Sequence, residues 1–160
     1  MAWLTLPCGR RSRVDTADLP TLDLYRWYLH PTRSARKAYV RGYRRGESPR
    51  DPKQWGHLAR LLMQPPEGLQ VDHINGDTLD NRRMNLRICT PAENRRNSVR
   101  GDGKFKGVAQ CTRYTWMAYI TKDGARFHLG TFTAPEKAAA AYNGAAIVLH
   151  GRFANLNVIP

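Results

Sequence analysis

In the stretch "VDHING" a carboxylate and an imidazole, Asp72 and His73, stand side by side, and two carboxamides follow, Asn85 in "MNLRI" and Asn94 in "PAENRRN". Successive side chains of a strand point to opposite faces, so neighbours can serve one site only at an irregular strand end. If the segments around "VDH" and "LRICT" pair as a hairpin and a helix folds across them, one face collects a carboxylate, an imidazole and a carboxamide. A hard cation such as Mg²⁺ takes oxygen ligands from one or two side chains and leaves the rest of its sphere to water and phosphate oxygens. Asp72 and Asn94 can supply such oxygens. His73, with an ordinary pKa near ~6.5, suits the deprotonation of a water in line with a phosphorus. The expected chemistry is single-metal hydrolysis, with Mg²⁺ as the ion and Mn²⁺ as the alternative.

The elements that must position these residues follow from patterning. Leu58, Leu61 and Leu62 in "QWGHLARLLMQ" have helical spacing, and Pro65-Pro66 stops the segment, which predicts a helix over 54–64. A strand ending near His73, a turn at "NGD", a polar loop and a second strand at "LRICT" come next. Thr90, Pro91 and Glu93 then open a helix with a capping signal. Upstream, "WLTL" and "KAYVRGY" read as strands, with a short helix or turn and a further strand in "VDTADLPTLDLYRWYL". The glycines of "SVRGDGK" predict a hinge at 101–103, dividing a region 1–100 from a domain at 104–157. Beyond it, "FKGVAQ", "TWMAYIT" and "RFHLGTF" alternate as three strands with "KDG" as a tight turn. "APEKAAAAYNGAAIVLHG" reads as a helix with a small-residue face. The fold class expected is α+β.

Charge names the partner. The chain carries +13 from 26 Lys+Arg against 13 Asp+Glu, with 41% apolar residues, enough for a modest core. Up to residue 100 there are 19 basic and 10 acidic residues, and beyond it 7 and 3, so both parts are basic. Seven of the basic residues crowd into "RSARKAYVRGYRRGESPR" with two Tyr among them, a mixture suited to phosphate contact and stacking. A polyanion, double-stranded DNA, is the expected partner. Arg82, Arg83, Arg87, Arg95 and Arg96 line the motif as candidate phosphate clamps. Cys8, Cys89 and Cys111 have neither CxxC nor Cys/His spacing, which excludes a zinc ribbon or a disulfide framework and predicts reduced thiols, two of them buried. No apolar run approaches the ~20 residues of a membrane span. With charges following a short apolar start, an intracellular, cytoplasmic protein is expected, with a monomer favoured.

The stretch "VDHINGDTLDNRRMNLRICTPAENRRN" resembles the HNH, or ββα-metal, endonucleases, in the variant common in phage and intron-encoded homing endonucleases where asparagine replaces the last histidine. The resemblance implies Asp72 and Asn94 as metal ligands, His73 as general base and Asn85 as the residue tying the loop across the ββα unit. It also implies nicking as the default activity. The stretch from Phe105 to Asn157 is similar to the plant Apetala, or ethylene-response-factor, DNA-binding domain, which lays a three-stranded sheet backed by one helix in the major groove. By that similarity the outward set is Lys106, Ala109, Cys111, Arg113, Tyr119, Thr121, Arg126, His128 and Thr131, while Trp116, Ile120, Phe127, Leu129 and Phe132 face the helix. Ala109, Cys111, Arg113 and His128 depart from the plant pattern, so its target sequence does not carry over. A calcium loop at "DHINGD" fails because an apolar Ile74 stands where an oxygen ligand is needed, and His57 reads as structural or phosphate-facing. The competing reading is a DNA-binding or regulatory protein that keeps the fold without catalysis.

Overall fold

Alternation in the first fourteen residues resolves as a hairpin in which β1 (Ala2–Thr5) pairs antiparallel with β2 (Arg11–Val14), Ala2 opposite Val14 and Thr5 opposite Arg11. The computed structural model describes residues 1–32, 37–97 and 105–160. The chain divides into two compact units, Met1–Pro91 and Ala92–Pro160. The hinge expected at 101–103 lies outside the described residues, as do Arg33 and Arg36 of the Arg-rich stretch.

In the first unit a short helix, α1 (Leu19–Leu22), leads into β3 (Tyr25–Pro31), which pairs with β4 (Ala38–Arg44), and β4 pairs in turn with β5 (Gly56–His57). One face of this sheet is apolar and sends Trp27 and Val40 into a core shared with Leu6, Val14, Leu22, Leu58, Leu62 and Leu86. Leu58 is fully buried, and burying one such side chain is worth about 1.5–3 kcal/mol. Gly42 is required here because a Cβ would meet the Trp27 ring at 2.6 Å. The other face carries Arg26, Tyr28, His30, Tyr39, Arg41 and Tyr43, set opposite one another as Arg26 with Tyr43, Tyr28 with Arg41 and His30 with Tyr39.

The helix expected over 54–64 is shorter than its pattern. α2 runs Leu58–Met63, because Gly56 and His57 leave it to pair with Gly42 and Arg41 of β4. Gln64, left-handed with φ 45°, ends α2 just before the two prolines. β6 (Gln70–His73) and β7 (Leu86–Cys89) then form the expected hairpin, with Asp72 opposite Arg87 and His73 opposite Leu86. α3 (Pro91–Arg96) opens at the proline.

The second unit is an antiparallel sheet of β8 (Val108–Thr112), β9 (Thr115–Lys122) and β10 (Ala125–Phe132), in the order β10-β9-β8, with α4 (Pro135–His150) against it. The β9–β10 turn places Asp123 at φ 51° and Gly124 at φ 84°, the two left-handed residues that a tight right-twisted hairpin demands. Ile120 packs on Tyr142 and Ala146, and Ala138, Ala139 and Ala118 are fully buried, so the small residues of α4 let it lie close on the sheet. Gly107, at φ +71°, faces the Tyr142 ring where any Cβ would collide.

Two expectations need correction. Phe127 stands opposite Ile120 on the helix side of the sheet, yet it is not packed there; it is 49% exposed. Leu129, on the same side, packs on the α4 cluster, while Phe127, three residues past the β9–β10 turn, stays in solvent; the register shift comes only after it, between His128 and Gly130. Of the cysteines only Cys89 is buried. Cys8 sits on the tip of the first hairpin and Cys111 beside the irregularity in β8, where neither is covered.

Candidate active site and nucleic-acid interface

β6 ends on the two residues of interest, both 6% exposed. Arg87, across the ribbon, sends Nε (2.9 Å) and Nη2 (2.7 Å) to the same oxygen of Asp72, Oδ2. His73 meets Asn81 Oδ1 through Nε2 at 3.1 Å, and its ring centroid lies 6.4 Å from that of Tyr39. Burial pushes the His73 pKa down, against the opposing pull of the Asn81 hydrogen bond and the charges of Asp72 and Asp77. The ring is therefore neutral at pH 7, the form that can accept a proton. Burial, and then the Asp72 charge, raise the Tyr39 phenol, which places an uncharged hydroxyl-bearing ring beside the pair.

The loop joining β6 to β7 is held by polar groups that have left water. Asn85 donates from Nδ2 to the Asp80 carbonyl (2.7 Å) and to Asn75 Oδ1 (3.0 Å), and its Oδ1 accepts from the Asn75 N–H (3.1 Å). Its own carbonyl accepts from the Ile74 N–H at 2.8 Å. These four bonds close the loop on itself, so Asn85 acts on loop geometry. Asp80 is fully buried and receives Arg82 as a fork, Nε to Oδ1 at 2.7 Å and Nη2 to Oδ2 at 2.6 Å, with Arg13 at 3.6 Å. The Arg82 hydrogen bond holds the Asp80 carboxyl below the ordinary carboxylate range, against burial. Arg83 likewise forks onto Asp18, Nη2 to Oδ1 at 2.7 Å, and donates to the Leu62 carbonyl at 2.9 Å.

Of the five arginines expected to clamp phosphate, Arg82, Arg83 and Arg87 thus brace carboxylates of the first unit. Arg95 is exposed on α3, and Arg96 pairs with Asp123 at 3.3 Å. Asn94 is half-buried on the same helix. His57 occupies the N-cap position of α2 without a side-chain cap hydrogen bond and meets the Tyr39 ring edge-on at 5.7 Å.

On the sheet of the second unit, Tyr119, Thr121, Arg126 and His128 share one face, Arg126 opposite Thr121 and His128 opposite Tyr119. The Arg126 guanidinium lies 3.5 Å over the Tyr119 ring. Arg113 is exposed in the β8–β9 turn, 5.5 Å over Tyr114. Lys106 precedes β8; its N–H donates to Asn157 Oδ1 at 2.6 Å and its Nζ to the Arg96 carbonyl. Met117, in register with Ala109 and Thr131, belongs to the outward face and was not expected there.

Among the described residues no three His, Cys, Asp or Glu side chains gather as a metal-holding cluster, and no helix is long and apolar enough to cross a membrane. Residues 64–96, which hold β6, the closed loop, β7 and α3, match the family model described as HNH endonuclease. An uncharacterized HNH endonuclease of Acanthamoeba polyphaga mimivirus is 30% identical over 142 residues, covering 88% of this chain and 71% of the relative. The chain belongs to the HNH endonuclease family. In HNH terms, "VDH" closes the first strand, "MNL" enters the second and "EN" lies on the helix. Part of the chain is also similar to the dehydration-responsive element-binding protein 2D of Arabidopsis thaliana, 41% identical over 76 residues, covering 42% of this chain and 37% of that protein. An Arabidopsis thaliana transcription factor with AP2/ERF and B3 domains is 48% identical over 52 residues, 32% of this chain and 15% of that protein. This HNH chain therefore spans less than two thirds of the plant proteins it resembles. No solved structure matches it significantly.

Sequence reasoning missed Ser12, Asp80, Asn81 and Tyr39. The triplet "LDN" offered a signal, an acid and an amide beside an apolar anchor, but nothing local says that their partners are Arg13 and Ser12 of β2.

Proposed function

We propose that the chain is a metal-dependent endonuclease that hydrolyses phosphodiester bonds of double-stranded DNA, nicking at preferred sites in the manner of a homing endonuclease. What supports this most directly is the pair at the end of β6: a buried carboxylate beside a buried neutral imidazole, inside the HNH match. His73 takes the proton of the attacking water. Asn85 keeps the loop closed so that His73 does not drift. Arg87 fixes the plane of the Asp72 carboxylate through Oδ2, and the second unit holds the register on DNA through Tyr119, Thr121, Arg126 and His128, with Arg113, Arg95, Arg96 and Lys106 near phosphate.

HNH nucleases generally use a divalent metal, and the donor chemistry here fits one. Asp72 and Asn94 are both hard oxygen donors, the side-chain type such an ion takes. Asp72 and Asn94 would hold the ion, Mg²⁺ or Mn²⁺. When bound it supplies a Lewis acid that stabilises charge on the phosphoryl oxygens and the leaving oxygen. One such site acts on one strand per event, which makes a nick the default product.

Calorimetry and cleavage together test the ligand assignment. Asp72→Ala is expected to lose both Mg²⁺ binding and cleavage even at raised Mg²⁺, whereas Asn94→Asp, which keeps an oxygen donor, retains part of each. Equal loss of cleavage in both variants with Mg²⁺ still bound would contradict the assignment.

A further inference from the structure

The hydrogen bond between His73 and Asn81 has a direction that its surroundings decide. Asn81 is 2% exposed, and its Nδ2 reaches Ser12 Oγ at 2.9 Å and the Thr78 carbonyl at 3.2 Å. A carbonyl oxygen can only accept. The Ser12 hydroxyl, fully buried, spends its one proton on the Leu79 carbonyl at 2.9 Å, so towards Asn81 it too can only accept. Two acceptors therefore fix the amide nitrogen on that side and rule out the flipped carboxamide. The Asn81 oxygen must then face His73, and the His73 atom 3.1 Å away, Nε2, must carry a hydrogen.

The same loop is stitched to β2 through the backbone. Arg13 N–H donates to the Leu79 carbonyl at 2.8 Å and Asn81 N–H to the Arg13 carbonyl at 2.9 Å, a parallel bridge between Arg13 and Asp80. Two side-chain bonds and one backbone bond thus hold Asn81 directly, a second backbone bond holds Leu79 beside it, and none of them depends on His73.

We infer that Asn81 is a positioning residue for His73: anchored by Ser12 and Thr78, it holds the neutral imidazole in the tautomer with the proton on Nε2 and the lone pair on Nδ1. Nδ1 is then the atom that receives the proton of the attacking water, and the first hairpin of the chain takes part in setting the base. The role for Nδ1 rests on the nuclease reading of His73; the tautomer itself does not. Unlocking the ring lets it share its proton between the two nitrogens and rotate away from the line of attack. Losing the partner that orients a metal-bound imidazole costs roughly 10- to 100-fold, and the same order is expected for this imidazole.

Long-range ¹H–¹⁵N correlation of the full-length protein at alkaline pH reads the tautomer directly, without any substitution. The expected result is a pyrrole-like Nε2 and a pyridine-like Nδ1 for His73. In Asn81→Ala both shifts are expected to move towards each other as the tautomers mix, with kcat falling roughly 10- to 100-fold and KM and DNA affinity little changed. A pyridine-like Nε2 in the unsubstituted protein overturns the proposal even if DNA is cut and even if Asn81→Ala does not fold. Unchanged His73 shifts and kcat in a folded Asn81→Ala overturn it as well. The expected tautomer in a protein that cuts no DNA supports the lock and counts against the nuclease reading alone.

Discussion

Replacing His73 with alanine is expected to lower the rate of DNA cleavage roughly 10²- to 10⁴-fold, the usual contribution of a general base, with DNA affinity nearly unchanged. The ring is buried, neutral and held by Asn81 through Nε2, so it offers no charge to a phosphate in the ground state. Its removal takes away proton transfer and little binding. Single-turnover cleavage and equilibrium binding on one duplex separate the two effects. A variant that cuts at the unsubstituted rate would remove His73 from the mechanism.

A comparably large effect, on stability, is expected at Asp80. Its carboxylate is fully buried and holds the Arg82 fork, with Arg13 nearby. Asp80→Asn keeps the shape but turns an amide nitrogen towards a guanidinium and leaves that charge uncompensated. The cost is about 3 kcal/mol, the low end for breaking a buried pair, because the Arg82 and Arg13 side chains keep 24% and 42% of their exposure. The pH dependence has a definite sign. The folded-state Asp80 carboxyl is lowered, so its contribution is fully present above the ordinary carboxylate range and is lost as pH falls through the lowered value. Denaturant unfolding should therefore show a constant gap between the two proteins at neutral pH, closing only in acid below that range. A gap that closes nearer neutrality would mean that another group carries the effect.

The parts that could be read from sequence are those where local pattern and burial agree. The β6–β7 hairpin is marked by two short apolar-bounded strands on either side of a turn that contains Gly76 at φ 76°, and α3 opens on its proline. The β9–β10 hairpin declares itself by "DG". Where tertiary pairing competes with local pattern, the reading slipped. Gly56 and His57 pair with β4 instead of continuing a helical run, and Phe127, opposite Ile120 but close to the turn, is left uncovered. Among the arginines of the motif, Arg82 has its carboxylate within local reach but Arg83 does not. Arg82 and Arg83 find their carboxylates at Asp80, two residues away, and at Asp18, 65 residues away. Asn81 was unreadable for the same reason: Ser12, which orients it, precedes it by 69 residues. Buried polar networks of this kind are specified by long-range complementarity, which hydrophobic periodicity does not record.

The central claim, that this chain uses Asp72 and His73 to hydrolyse DNA with a divalent ion, is tested most directly by supercoiled plasmid incubated with the full-length protein in Mg²⁺ and, in parallel, in excess chelator. The account predicts relaxed circles in Mg²⁺ and none in chelator, with linear product appearing only after nicks accumulate. Plasmid that stays supercoiled in Mg²⁺ and in Mn²⁺, while the same protein retards it on a gel, would contradict the account and leave a DNA-binding protein that keeps the HNH fold without its chemistry.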